Sequence, residues 1–556
     1  MEPNLSINNT GNNTEYVNEM DFQNDSLSKQ NHFLTLRKNK RINFQMKRFE
    51  TQKSTEKYKL NQNSYDPSND IIKNFFNSQD KPSFLNQLIS NISSSNIDIN
   101  LSKFILAQCL NYYDSQKQNP NSIKIFEEFF TEPIISNIIE MMHILKNDYY
   151  IVYSACYLLF ELTYKSSQIT KYITLTISNI QKIFNCLNDS NEETNSMVLS
   201  LLYNCYIEDE DKVIENCNIG IYVLEKLNKY SLDIKQNLKN INSDENIKIL
   251  ISFLSILINK KTYDVFKTFD IEIRNNIIYL LLVLCQNVFE ENLKLDSHYA
   301  LERMLKIVDE ENINVDKFGL CNIINVFLPH IKLESNPPEI VEISMEIIEK
   351  FSFLCDVEVL LNNDLFDQLE QILIDFNDMN TNKINPKSFY IHYKKRNINS
   401  TLIYIVNTLS NSLTLTKFEK YIKNETSIIK NLILAIKIFD LENETIISIF
   451  DFFNDFIDNK DNCIKIILEN FIDIGILDVL NNNLDKKNYD IIQSVLKICF
   501  LMLKKCSEIT NGKENIMKFY LEKKGFNEIL NLVISLDFGN YDCSEIAKNI
   551  QSSFFN

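Results

Sequence analysis

The feature that most constrains this chain is a succession of apolar segments that begins near residue 81 and runs to the C-terminus. YIVYSACYLLFELTY, NSMVLSLLYNCYI, NIKILISFLSILI, VEISMEIIEKFSFL, TLIYIVNTLSN and IISIFDFFNDFI are examples, separated by clusters of Asn, Asp, Ser and Lys. Apolar residues recur in them at spacings of three and four, and strict alternation is absent, so helices are predicted and strands are not. Each segment is apolar around most of its circumference, as a helix sandwiched between neighbours must be.

The segments also recur in register. NIGIYVLEKL at Gly220, DIGILDVLNNNL at Gly475 and KKGFNEILNLV at Gly525 each place Gly ahead of an apolar run, and NDLFDQLEQIL puts Asp364 at that place. Gly and Asp both tolerate the left-handed backbone that ends helices. The intervals of 144, 111 and 50 residues are near multiples of about 50. A repeat somewhat over about 40 residues long falls in the range of armadillo and HEAT solenoids. At 556 residues the chain exceeds what one hydrophobic core serves, and an elongated array resolves that excess. Its 7 Gly and 9 Pro are too few for the turns of a large β-sandwich or for phosphate-binding loops.

Residues 1–30 are poor in apolar side chains and rich in Asn and Ser, a composition that predicts a disordered tail. Residues 31–60 are basic, residues 61–80 form a polar segment read as a linker, and residues 81–556 hold the helical array. The net charge is −17, yet Arg37 to Lys59 contain nine basic and two acidic residues, so a local +7 precedes a remainder near −24. An acidic body argues against broad binding to nucleic acid or an anionic membrane and favours a basic partner.

The twelve cysteines stand singly with no CxxC pair, which predicts small core residues in a reducing compartment. No apolar run is long enough to span a bilayer, and the N-terminal residues have no apolar signal core, so a soluble intracellular protein is expected. His32, His143, His298, His330 and His392 lie far apart without metal-ligand spacing. With no phosphate-loop or nucleophile motif present, neither catalytic residues nor a metal or cofactor are expected.

The basic segment reads LRKNKRINFQMKRF from Leu36 to Phe49, with Arg37, Lys38, Lys40, Arg41, Lys47 and Arg48 in a fixed pattern. It resembles the importin-beta-binding segment of the importin alpha family. SACYLLFELTYKSSQITKYI is similar to that family's second armadillo repeat, LAQCLNYYDSQKQNPNSIKIF to its first, and LEKKGFNEILNLVISLDFGNYDCSEIAKNIQSSFF to its closing repeat. The resemblance implies an all-α, right-handed superhelical armadillo solenoid of about ten repeats, acting as a nuclear import adaptor in cytoplasm and nucleus. Its implied partners are importin beta on the six basic residues, cargo proteins with basic peptide signals, and an export receptor for recycling. A protein-interaction scaffold without import activity is the alternative.

In that family the third helix of each repeat carries Trp and, four residues on, Asn, which line a concave cargo groove. Aligned helix by helix, the corresponding pairs are Tyr157 and Glu161, Ser200 and Asn204, Ser252 and Ile256, Tyr299 and Arg303, Glu346 and Lys350, Tyr404 and Thr408, and Phe450 and Asn454. The resemblance thus assigns cargo contacts to Tyr157, Glu161, Asn204, Tyr299, Tyr404 and Asn454. The chain has no Trp, so the family's lysine slots are altered. Glu161 is expected to attract a basic peptide, whereas Arg303 and Lys350 are expected to repel one.

Overall fold

A computed structural model of the chain describes residues 70–91, 98–187, 191–237, 245–258, 269–287, 290–306, 323–354, 364–379, 393–412, 427–439, 441–459, 488–509, 516–523, 525–535 and 541–555. The predicted tail and the basic segment lie outside them. The described residues contain helices and no strand, and the chain divides into two compact units at Ile219 and Gly220.

The first unit comprises α1 (Asp70–Asn77), α2 (Lys81–Ser90), α3 (Ile99–Gln116), α4 (Ser122–Phe129), α5 (Glu132–Ile144), α6 (Tyr149–Lys165), α7 (Ser167–Leu175), α8 (Ile177–Phe184), α9 (Glu192–Glu208) and α10 (Glu210–Asn216). Two shorter helices followed by a long one of 17 residues occur twice, as α4, α5 and α6 and again as α7, α8 and α9. The long helices α3, α6 and α9 pack side by side in one row, and α2, α5 and α8 pack in a second. The polar clusters between segments start the helices. Asp98 accepts from the Leu101 N–H, Asp148 from those of Tyr150 and Ile151, and Asn191 from that of Thr194. Ser166 is the sole residue between α6 and α7 and caps the latter through the Ile169 N–H.

One sequence expectation is corrected here. Residues 70–77, read as part of a linker, form α1, because Ile72 and Phe75 fall on one face and are buried. Phe75 meets Phe104 edge-on at 5.2 Å between ring centres.

The second unit comprises α11 (Ile219–Asn237), α12 (Glu245–Leu257), α13 (Ile271–Asn287), α14 (Glu291–Lys306), α15 (Ile323–Phe327), α16 (Pro338–Leu354), α17 (Leu365–Met379), α18 (Lys395–Asn411), α19 (Ser427–Ile438) and α20 (Asn443–Asn459). It closes with α21 (Tyr489–Ile509), α22 (Ile516–Lys523), α23 (Phe526–Ser535), α24 (Tyr541–Ile550) and a π turn, Gln551–Phe555. Its main row is α12, α14, α16, α18, α20, α21 and α24, each packed on the next. The recurrent Gly and Asp positions open equivalent helices: Gly220 lies at the start of α11, Asp364 precedes α17 and Gly525 precedes α23. Among the described residues only Gly525 is a glycine with positive φ, at 75°. Gly475 lies outside them.

Hydrogen bonds between neighbouring helices fall one repeat apart. On the second rows Asn137 donates to the Ile89 carbonyl, Asn179 to Ser136 and Asn276 to Asn228, across 48, 43 and 48 residues. The nine described cysteines are free and buried, as small core residues should be.

Candidate interaction surface

Every pair singled out in sequence falls on a main-row helix. In the first unit Tyr157 and Glu161 lie on α6, and Ser200 and Asn204 on α9. In the second, Ser252 and Ile256 lie on α12, Tyr299 and Arg303 on α14, Glu346 and Lys350 on α16, Tyr404 and Thr408 on α18, and Phe450 and Asn454 on α20. The four-residue interval within each pair puts both members on one helix face.

On α6 the rings of Tyr153 and Tyr157 are parallel within 4° at 6.4 Å between centres, one turn before Glu161. Tyr113 of α3 donates its hydroxyl to Glu161 Oε2 at 2.6 Å. Burial raises the Glu161 carboxyl above its ordinary value, against the bond from Tyr113 and the more distant charges of Lys117 and Lys165. Among the described residues no ammonium or guanidinium comes within ion-pair distance of it. A partly desolvated carboxylate near Tyr113 and Tyr157 is therefore present without an ion-paired cation among the described residues.

Asn204 is turned into the seam between α6 and α9. It is 3% exposed, and its amide donates to Thr163 Oγ1 at 2.9 Å. Tyr299, Ile256, Thr408 and Phe450 are buried likewise. Asn454 is half-buried, and its Oδ1 is buried with no hydrogen-bond partner among the described residues.

The second unit concentrates charge where α14, α16 and α18 meet. Glu302 has a side chain only 4% exposed, and Lys350 reaches it at 2.6 Å while also meeting Glu346 at 3.1 Å. Lys306 pairs with Glu302 as well and lies 3.6 Å from Glu346. Tyr404 donates to the other Glu346 oxygen at 3.1 Å, and Asn407 donates to Glu349 at 3.0 Å. Burial opposes the ionisation of Glu302, but the charges of Lys306, Lys350 and Arg303 outweigh it and hold the carboxyl well below the ordinary range. Arg303 itself donates to the Ile258 carbonyl at 2.6 Å.

The expected repulsion by Lys350 and Arg303 is thereby corrected. Lys350 is neutralised by two carboxylates, and Arg303 donates to a backbone carbonyl while its charge acts on Glu302 without an ion pair. The sequence reading overlooked Tyr113, Thr163 and Glu302. Each stands 41 to 48 residues before the side chain it engages, so the repeat length itself is the signal that finds them.

No protein-family model matches the chain, and no curated protein matches it in sequence. Among solved structures, a complex of SYS-1 with POP-1 aligns over 94% of this chain and 99% of that one, with a TM-score of 0.50 at 11% identity. SYS-1 alone aligns over 89% of this chain and 94% of its own, at 0.46 and 12%. A structure from work on the cadherin and beta-catenin interaction covers 86% and 92%, at 0.48 and 13%. The fold is an all-α solenoid of armadillo type.

Proposed function

We propose that this chain is a protein-interaction scaffold that binds a partner segment along its main-row helices, with Glu161 receiving a basic side chain. The observation that carries this reading is the Glu161 carboxylate itself, held by Tyr113 at 2.6 Å beside Tyr157 and lacking a cation of its own. A lysine or arginine supplied there replaces lost water with charge and an aromatic contact. The net charge of −17 favours the same class of partner. SYS-1, whose fold is similar, is crystallised with a protein partner, POP-1.

The test is fluorescence anisotropy with a labelled lysine- and arginine-rich peptide. Glu161→Gln is expected to weaken binding roughly tenfold, the scale of one charge-assisted contact. Unchanged affinity removes the role assigned to Glu161.

A second reading, a nuclear import adaptor, rests on the segment LRKNKRINFQMKRF. In it, Arg37, Lys38, Lys40, Arg41, Lys47 and Arg48 recruit importin beta, the main rows hold cargo through Tyr157, Glu161, Asn204, Tyr299, Tyr404 and Asn454, and an export receptor returns the chain to the cytoplasm. A pull-down with importin beta decides it. Binding that is lost when Arg37, Lys38, Lys40 and Arg41 are all changed to Ala supports the adaptor, and no binding by the intact chain leaves the scaffold alone.

A further inference from the structure

Two carboxylate positions on these helices differ in one respect: among the described residues Glu161 has no ion pair, whereas Glu302 and Glu346 are already occupied. Lys350 alone satisfies both of the latter, at 2.6 and 3.1 Å. Lys306 brings a second ammonium to the same two carboxylates, from a side chain that is 51% exposed. The deep cation is thus part of the packing, and the shallow one sits at the solvent edge, where an external ammonium would arrive. Counting Glu302, Glu346 and Glu349 against Lys350 and Arg303 leaves −1 when Lys306 is set aside, and among the described residues the Glu349 carboxylate receives the Asn407 amide and no ion pair. Tyr404 fixes Glu346 from α18 and keeps its second oxygen aimed at the lysines.

We propose that Lys306 is a built-in occupant of an ammonium-binding position formed by Glu302, Glu346 and Tyr404, and that its presence keeps the second unit from taking the basic side chains that Glu161 accepts. The ligand class is a primary ammonium, because the position is shaped by oxygen acceptors around an N–H donor. The inference rests on the reading of the main rows as binding surfaces, but its own site is tested separately. Lys306 in this role is a competitor in cis: it fills the position at all times because its effective concentration exceeds that of any free ligand.

The experiment uses the full chain and two probes. In Lys306→Ala made together with Glu161→Gln, which removes the ammonium acceptor proposed in the first unit, n-butylammonium is expected to raise the melting temperature saturably, whereas tetramethylammonium, with the same charge and no N–H, is not; Glu161→Gln alone should respond to neither. Lys306→Ala alone should bind a hexalysine peptide with a stoichiometry of two where the unaltered chain binds one. Absence of either effect overturns the proposal. Should Lys306→Ala fail to fold, Lys306→Gln replaces it in both assays with the same expected outcomes. Glu161→Gln separates the two readings: losing the first equivalent of peptide there bears on Glu161, while ammonium rescue at residue 306 bears only on this site.

Discussion

His298 and His330 lie with Nε2 and Nδ1 3.2 Å apart, although 32 residues separate them. His298 Nδ1 donates to the Lys294 carbonyl at 2.7 Å, so its Nε2 is the acceptor and His330 Nδ1 carries the shared proton. Both rings are neutral in this arrangement. Burial, then the neighbouring ring, pushes His298 down to about 3, and burial with the charge of Lys294 pushes His330 down to about 4.

The unfolded chain takes up protons on these rings near pH 6.5, well before the folded chain does. Stability from the pair is therefore complete above that pH and falls as the pH drops from about 6.5 toward 4 and 3. His330→Gln should flatten this loss by an amount on the order of a few kcal/mol. Urea unfolding at pH 7 and pH 4.5, compared between the two chains, measures it; parallel pH dependences would rule the pair out as its source.

Lys350→Met leaves Glu302 buried with the half-exposed Lys306 as its remaining ion-pair partner among the described residues. The expected loss is about 3 kcal/mol, near the lower end for breaking a buried pair because one cation remains. Adding Glu302→Gln to the same chain should recover much of it. The urea midpoints of the single and double variants report the difference.

Asn204→Ala removes a buried amide and its bond to Thr163. A stability loss of about 1–3 kcal/mol is expected, with peptide affinity changed less than in Glu161→Gln. A large affinity loss at unaltered stability would instead place Asn204 in the binding contact.

Gly525→Ala puts a side chain at φ 75°, with its Cβ 3.3 Å from a Glu528 carboxylate oxygen. The flexible carboxylate can move but the backbone cannot, so the cost is about 1 kcal/mol from the left-handed conformation alone. Thermal unfolding of the variant checks this value, and an unchanged midpoint would show that the turn adjusts freely.

The solenoid was legible because its helices are apolar at helical spacing and recur at a fixed length, as in YIVYSACYLLFELTY on α6 and TLIYIVNTLSN on α18. The row positions came from aligning these helices with the paired groove residues of the family that the sequence resembles, and that alignment singles out Glu161 and Lys350. What each side chain does there was less legible. Whether Asn204 faces a ligand or Thr163 depends on the rotation of α9 against α6, which a single helix does not encode. Lys350 reads as a free cation until Glu302, one repeat earlier, is brought beside it. His298 and His330 lack any local spacing signal, since a turn after α15 closes their distance. Asparagine has no spacing signal either, yet Asn137, Asn179, Asn276 and Asn407 each tie one repeat to the next.

Those asparagine ties have a mechanical consequence. Each joins a helix only to its nearest equivalent, so a pulling force applied to either unit meets one seam at a time and not the whole fold. Stretched from an end in an optical trap, a unit should lengthen in steps of roughly one repeat, about 40 to 50 residues of slack per step. It would behave as a series of separately breakable links, yielding under load by peeling and re-forming when the tension is released.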